Sequence, residues 1–210
     1  MLVMRRLSAL LIGVVVAGSA GASIIYDNGA SQLTGGLIGS TIDFPPADNF
    51  VLTDGASTIT DIHWTGYYLI DPPTDAFTVY IYGDDSGAPG VAPLHTLTGT
   101  VQRVNSGNDN LGGFDDYNYV LNIDPLALSA NTTYWLSITN DIAPDAWFWS
   151  LSDVSAGDAN QKAVTAWVEL DVELAFQLTN DAVVPEPASM TLLGFGLVAF
   201  AARSKFLRAK

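Results

Sequence analysis

The sequence predicts an all-β protein, an antiparallel β-sandwich of jelly-roll kind, and three observations lead there. Apolar and polar residues alternate with period two over short stretches, while no useful length repeats at 3.6 residues. Turn-rich segments such as "DGAS", "DPPTD", "GDDSGAPG", "NSGNDNLGGFDD" and "SDVSAGDAN" separate those stretches. Apolar residues make up 49% of a chain without cysteine, so a core of packed side chains must hold the fold with no disulfide.

The elements follow in order. Strands are expected at Ser23 to Tyr26, Asn49 to Leu52 and Ile59 to Trp64. "FTVYIYG" then sets Phe77, Val79 and Ile81 against Thr78, Tyr80 and Tyr82. Leu94 to Val104 supplies a further strand. "YNYVLNI" places Tyr117, Tyr119, Leu121 and Ile123 on one side, with Asn118, Val120 and Asn122 opposite. "TYWLSIT" sets Tyr134, Leu136 and Ile138 against Trp135, Ser137 and Thr139. "KAVTAWVELDVELAFQLTN" holds apolar residues at even spacing from Val164 to Leu178, too long for one strand, which predicts a bend or hairpin near Asp171. The total is about eight to ten short strands, and no internal repeat indicates a solenoid or propeller.

Both ends of the chain read as addresses. Met1 to Ala22 has the form of a secretory signal peptide: Arg5 and Arg6, an apolar run from Leu7 to Ala17, then Ala20-Gly21-Ala22 with cleavage before Ser23. Residues 23–183 remain for one β-sandwich domain, a length that supports a single core. That body keeps only Arg103 and Lys162 as basic residues against twenty-one of the chain's 22 acids, a net charge of −19. Such a surface repels phosphate backbones, so nucleic acid is excluded as a partner. Divalent cations, basic partners and neutral polymers such as glycans remain compatible with it.

Residues 184–210 form the second address. Ala188 to Ala202 carries no charge and spans ~23 Å as a helix at ~1.5 Å per residue, marginal for the ~30 Å of a hydrocarbon core until Val183, Val184 and the stems of Arg203 and Lys205 are counted. A transmembrane helix is therefore expected at about 188–202. Pro185 and Pro187 keep the chain extended before it. Arg203, Lys205, Arg208 and Lys210 flank the helix, and their stems can snorkel while the charges stay cytoplasmic. The body then lies across the membrane, the orientation that Arg5 and Arg6 also set.

Val184-Pro185-Glu186-Pro187-Ala188, a Gly-containing apolar helix and terminal basic residues together resemble a PEP-CTERM protein-sorting signal, with Pro185, Glu186 and Pro187 matching its tripeptide. The basic terminus is diluted by Ser204, Phe206, Leu207 and Ala209, where the family often has a tighter arginine cluster. A tail of this form is also labelled an ice-binding protein C-terminal domain, a label that is no sign of ice binding; the body has no regular Thr-x-Thr ladder. The resemblance implies export in a Gram-negative bacterium, tethering in the inner membrane with a periplasmic body, and processing by an exosortase, an integral-membrane cysteine transpeptidase. It also implies an association with exopolysaccharide production and a final place at the cell surface or in the extracellular matrix. "ADNFVLTDGASTITDIHWTGYY", "FTVYIYGDDSGAPG" and "LSANTTYWLSITND" are similar to a family of secreted bacterial β-sandwich domains of unknown role, which implies the fold and no chemistry.

The chemistry available to the body is sparse. His63 shares a strand face with Asp61, His95 stands apart, and no nucleophile signature surrounds either. Carboxylates are too many for a glycosidase pair to be picked out. Asp84 and Asp85 in one loop, and Asp109, Asp115 and Asp116 in another, put oxygen ligands beside glycines, as calcium requires; side chains capping their own turns are the other reading. Trp147 and Trp149 share one face of "DAWFWS", which suits either stacking on sugar rings or filling the core. The expectation is a non-enzymatic surface or matrix protein with no cofactor unless calcium binds. Its alternatives are a secreted glycan-active hydrolase or a calcium-dependent glycan-binding module.

Overall fold

The computed structural model describes residues 22–33, 37–70, 74–140, 147–154 and 157–181. The expected signal peptide, sorting tripeptide, transmembrane helix and basic flank fall outside these residues, apart from Ala22. Among the described residues no helix is long and apolar enough to cross a membrane.

Thirteen strands are present among the described residues. They are β1 (Ala22–Asp27), β2 (Leu37–Gly39), β3 (Pro46–Val51), β4 (Thr58–Tyr68), β5 (Phe77–Gly83), β6 (His95–Leu97) and β7 (Val101–Asp109). The series continues with β8 (Asp115–Ala127), β9 (Thr133–Asn140), β10 (Trp147–Ser150), β11 (Asn160–Ala163), β12 (Ala166–Glu169) and β13 (Phe176–Asp181). Every strand pairing is antiparallel, in one sheet of seven strands and one of six.

The long strand β4 organises the seven-stranded sheet. Residues 58–67 of β4 pair with β8, which in turn pairs with β7. On its other edge β13 takes Asp61 to Trp64 and β10 takes Gly66 to Tyr68. β1 then adds to β13, and β2 to β10. The six-stranded sheet runs β12-β11-β3-β9-β5-β6.

Alternation decides which side chains meet between the sheets. Phe77, Val79 and Ile81 of β5 and Leu136 and Ile138 of β9 join Ile62 and Trp64 of β4, Tyr119 and Leu121 of β8, and Phe176 and Leu178 of β13 in one core. Aromatic edges lock the two layers: the Trp64 and Phe77 rings lie 5.3 Å apart and nearly perpendicular, as do Phe50 and Phe176 at 6.4 Å. Gly66 is required where β4 is squeezed between β8 and β10, because a Cβ there would lie 2.5 Å from the Phe148 carbonyl and 2.7 Å from the Trp147 ring.

The differences from the sequence reading have local causes. Leu94 to Val104 is two strands, broken at residues 98–100. β2 and β10 carry too few residues to show a period. The even spacing from Val164 to Leu178 is not one buried face: Val164 sits at positive φ in the turn of the β11–β12 hairpin, and Val168 is exposed. Only from Val172 onward does that alternation point into the core, with Val172 half-buried against it and Leu174 buried in it. The expected bend at Asp171 is present, with a backbone φ of +54°.

Candidate functional site

The aspartates read as calcium ligands divide between the two sheets. Asp84 and Asp85 follow β5 in the six-stranded sheet, where Asp84 accepts the Trp135 indole N–H at 2.9 Å and the Gly87 N–H at 3.3 Å. Asp109 ends β7 and Asp115 opens β8, opposite each other in the seven-stranded sheet and both exposed. In the turn between them the Asn110 side-chain oxygen Oδ1 accepts the N–H groups of Gly112 and Phe114 at 2.9 and 3.1 Å. The Gly87, Gly112 and Phe114 contacts are turn capping, while the Trp135 indole reaches Asp84 from β9. Asp116 differs: it is 2% exposed and accepts hydroxyls from Ser150 at 2.9 Å and Ser31 at 3.4 Å. Burial raises its carboxyl above the ordinary range, and the serine hydroxyls pull the other way.

Trp147 and Trp149 correct the sugar-stacking expectation. Both are 0% exposed, and the Trp149 indole donates to the Ala175 carbonyl at 3.0 Å. They fill the space between the sheets and offer no face to a ligand. On the outer side of the six-stranded sheet, Trp135 and Tyr82 are also buried, beneath the half-buried Trp167, whose ring meets Tyr82 edge-on at 5.6 Å. The alternation of β5 and β9 gives no sign of this second cluster, since only the β11–β12 hairpin folding over them brings Trp167 there.

Two cavities of mixed polar and apolar lining, of about 420 and 320 Å³, lie on the outer face of the seven-stranded sheet and share Ser31, Leu33 and Asp116 in their walls. The segment after β1 is tied across this face: Gln32 N–H donates to the Leu151 carbonyl at 2.7 Å, and Leu111 N–H to the Leu33 carbonyl at 2.8 Å. Strand alternation places Thr65, Tyr67, Asp116, Asn118 and Ser150 on that side. Tyr67 is sandwiched by Phe148 at 5.5 Å and Phe114 at 6.2 Å, both rings nearly parallel to it. Burial, then the charge of Asp116, pushes its hydroxyl up to about 12. The sequence alone does not single out Tyr67, because its neighbours come from β8, β10 and the loop after β1. The period of β4 alone puts it on the outer face.

An acidic group lies elsewhere. Asp48, Asp158 and Glu173 bring carboxylate oxygens within 4.8 Å of one another. Asp48 points inward from β3, alternating with Phe50, and accepts the Leu174 N–H at 2.6 Å and the Asn49 N–H at 2.8 Å. The Asn28 amide nitrogen stands 2.9 Å from each of Asp48 Oδ2, Glu173 Oε2 and the Leu174 carbonyl. A hydrogen-bond donor thus occupies the point where these oxygens converge, whereas calcium would need six to eight oxygens around it. Burial, reinforced by the charge of Glu173, holds Asp48 well above the usual carboxylate range.

His63 and Asp61 are joined through Thr179, whose hydroxyl donates to Asp61 at 3.0 Å and lies 3.3 Å from His63 Nε2. Thr60 also donates to Asp61, at 2.8 Å. Burial lowers the His63 pKa against the opposing charge of Asp61. The pair forms a cross-strand hydrogen-bond row on the outer face of the sheet.

Comparison with known families matches residues 183–205 to the PEP-CTERM protein-sorting motif. The chain carries that motif, which marks a protein for processing by an exosortase and export to the envelope of Gram-negative bacteria. No curated protein matches the chain.

Proposed function

We propose that this is an exported, non-enzymatic surface or matrix protein, tethered first in the inner membrane with its β-sandwich in the periplasm, then processed and associated with exopolysaccharide. The sorting motif at residues 183–205 carries this reading, beginning two residues beyond the end of β13 at Asp181. A net charge of −19 on the body favours a neutral polymer over an anionic one. The non-catalytic part is supported by how the recessed carboxylates are engaged. Asp61 accepts the Thr60 and Thr179 hydroxyls and Asp48 the Asn49 and Leu174 N–H groups, a structural use of groups that a glycosidase would keep for its substrate.

The test expresses the chain with and without residues 184–210 in a host that carries an exosortase. The intact chain is expected to pass from the membrane to the surface or matrix fraction; identical fractionation of both forms refutes the sorting step. Co-sedimentation with neutral polysaccharide, run beside reducing-sugar release, addresses the body. Binding without release is the expected result, and turnover abolished by one carboxylate substitution would replace this reading with a hydrolase.

A further inference from the structure

We propose that the paired cavities on the outer face of the seven-stranded sheet are a binding site for a neutral saccharide, with Tyr67, Thr65, Asn110 and Asp116 as its hydrogen-bonding groups. This rests on the polysaccharide reading above and gives it a location.

The observation that points to a ligand is a set of hydrogen-bonding groups left without partners. Tyr67 is 3% exposed, yet its hydroxyl has no hydrogen-bond partner among the described residues, and it lines the smaller cavity. Buried polar groups in folded proteins are nearly always paired, so an orphan at a cavity wall is a group kept for something that enters. Asn110 lines the same cavity. Its side-chain oxygen Oδ1 is occupied by the Gly112 and Phe114 N–H groups, and its amide nitrogen is buried and unpartnered. Thr65 Oγ1 repeats the pattern in the larger cavity. Asp116 is common to both.

These groups define the ligand class. Tyrosine and threonine hydroxyls donate and accept, the asparagine amide donates, and the carboxylate accepts. Vicinal sugar hydroxyls, each both donor and acceptor, meet that alternation. Phe114 and Leu111 give the smaller cavity an apolar side for the C–H face of a pyranose. No lysine or arginine lines either cavity among the described residues, which disfavours an anion. A single aspartate in the walls falls short of the oxygen shell of a divalent cation. The volumes, about 420 and 320 Å³, are of the size that holds small ligands.

The experiment uses the full chain purified in detergent. Methyl glycosides of glucose, galactose and mannose are titrated calorimetrically, and co-sedimentation with neutral polysaccharides is measured in parallel. Tyr67→Phe removes only the unpartnered hydroxyl and Thr65→Val only the second one, so both variants should melt no lower than the parent. Each is expected to weaken saccharide binding at least tenfold. If both variants stay folded and bind as the parent does, the site is wrong, while the polysaccharide reading stands. If the parent co-sediments with no neutral polymer and takes up no glycoside, that reading falls and takes this site with it.

Discussion

Asn28 sets its amide nitrogen 2.9 Å from both the Asp48 and the Glu173 carboxylates, so one neutral side chain bridges two acids on different segments. Its own carbonyl oxygen accepts the Tyr26 hydroxyl at 3.1 Å, which extends the bridge to β1. Removing this amide leaves the two acids facing each other without the neutral bridge between them, Asp48 keeping only its Asn49 and Leu174 N–H donors. Asn28→Ala is expected to cost about 2–4 kcal/mol in urea unfolding, in the range for breaking a buried polar network. Asn28→Asp should cost more at pH 8 than at pH 5, because it adds a third carboxylate. Equal losses at both pH values would show that charge is not what the amide manages.

Stability should fall as pH rises through neutrality. Asp48 and Asp116 have folded-state pKa values above those of the unfolded chain, through burial in both cases and the Glu173 charge at Asp48. The folded state therefore holds protons that the unfolded chain releases. That contribution is fully present below the ordinary carboxylate value of ~3.9 and is lost as pH climbs toward the raised folded value. His63, lowered by burial, works in the opposite sense, and only below its ordinary value of ~6.5. Between pH 6.5 and 8.5 the decline comes from Asp48, whose carboxyl is pushed up to about 9 by burial and by the Glu173 charge. The melting temperature should decline across that window, by up to about 1.4 kcal/mol of stability per pH unit for each retained proton. Asp48→Asn should flatten the decline, and calorimetry showing the same slope in variant and parent would contradict it.

Gly66→Ala is expected to destabilise by about 1–3 kcal/mol, the range for overpacking a filled interior. The added methyl meets the Phe148 carbonyl and the Trp147 ring, neither of which can move without disturbing β10. Gly55→Ala provides the contrast. It has open space around a Cβ, so any cost there comes from its φ of +82° alone. Thermal melts of the two variants separate steric from backbone effects.

Arg103, one of two basic residues in the body, lies 5.1 Å from the Tyr117 ring centre and 5.5 Å from that of Tyr68, and pairs with Asp75 at 3.4 Å. A planar guanidinium can stack against rings and bond a carboxylate together, which an ammonium does poorly. Arg103→Lys should therefore lose about 1 kcal/mol despite keeping its charge. A melting curve superimposable on that of the parent would make this stacking energetically silent.

Sequence legibility follows strand length. β5 and β9 span enough alternating residues that spacing alone assigns Phe77, Val79, Ile81, Leu136 and Ile138 to one inward face each. β10 offers four residues, and its period tells only that Trp147 and Trp149 share a face, leaving the side open. In β11 and β12 the alternation is present but the hairpin turns away at Val164, which no spacing announces. The site is less visible for a different reason. Tyr67 and Asp116 are cross-strand neighbours, and Ser31 and Asn110 join them from loops, so the cavities exist only once β4 and β8 are in register. Asp48 is within reach of the pattern: with β3 drawn from Pro46 instead of Asn49, alternation with Phe50 marks it as an acid facing inward.

β1 and β13 pair so that Ala22 stands opposite Asp181, and the first and last residues of the folded unit leave it side by side. β13 is also bonded to β4 along its other edge, so it is not a border strand. Mechanical load applied through a tether beyond Asp181 would run along β13 and strain its hydrogen bonds on both sides at once, in shear. Unzipping them singly would require pulling across the strand. A protein held at a wall or in a gel by its C-terminus meets that kind of load, and single-molecule pulling from residue 181 should register a higher rupture force than pulling from the tip of the β11–β12 hairpin, where the bonds open one after another.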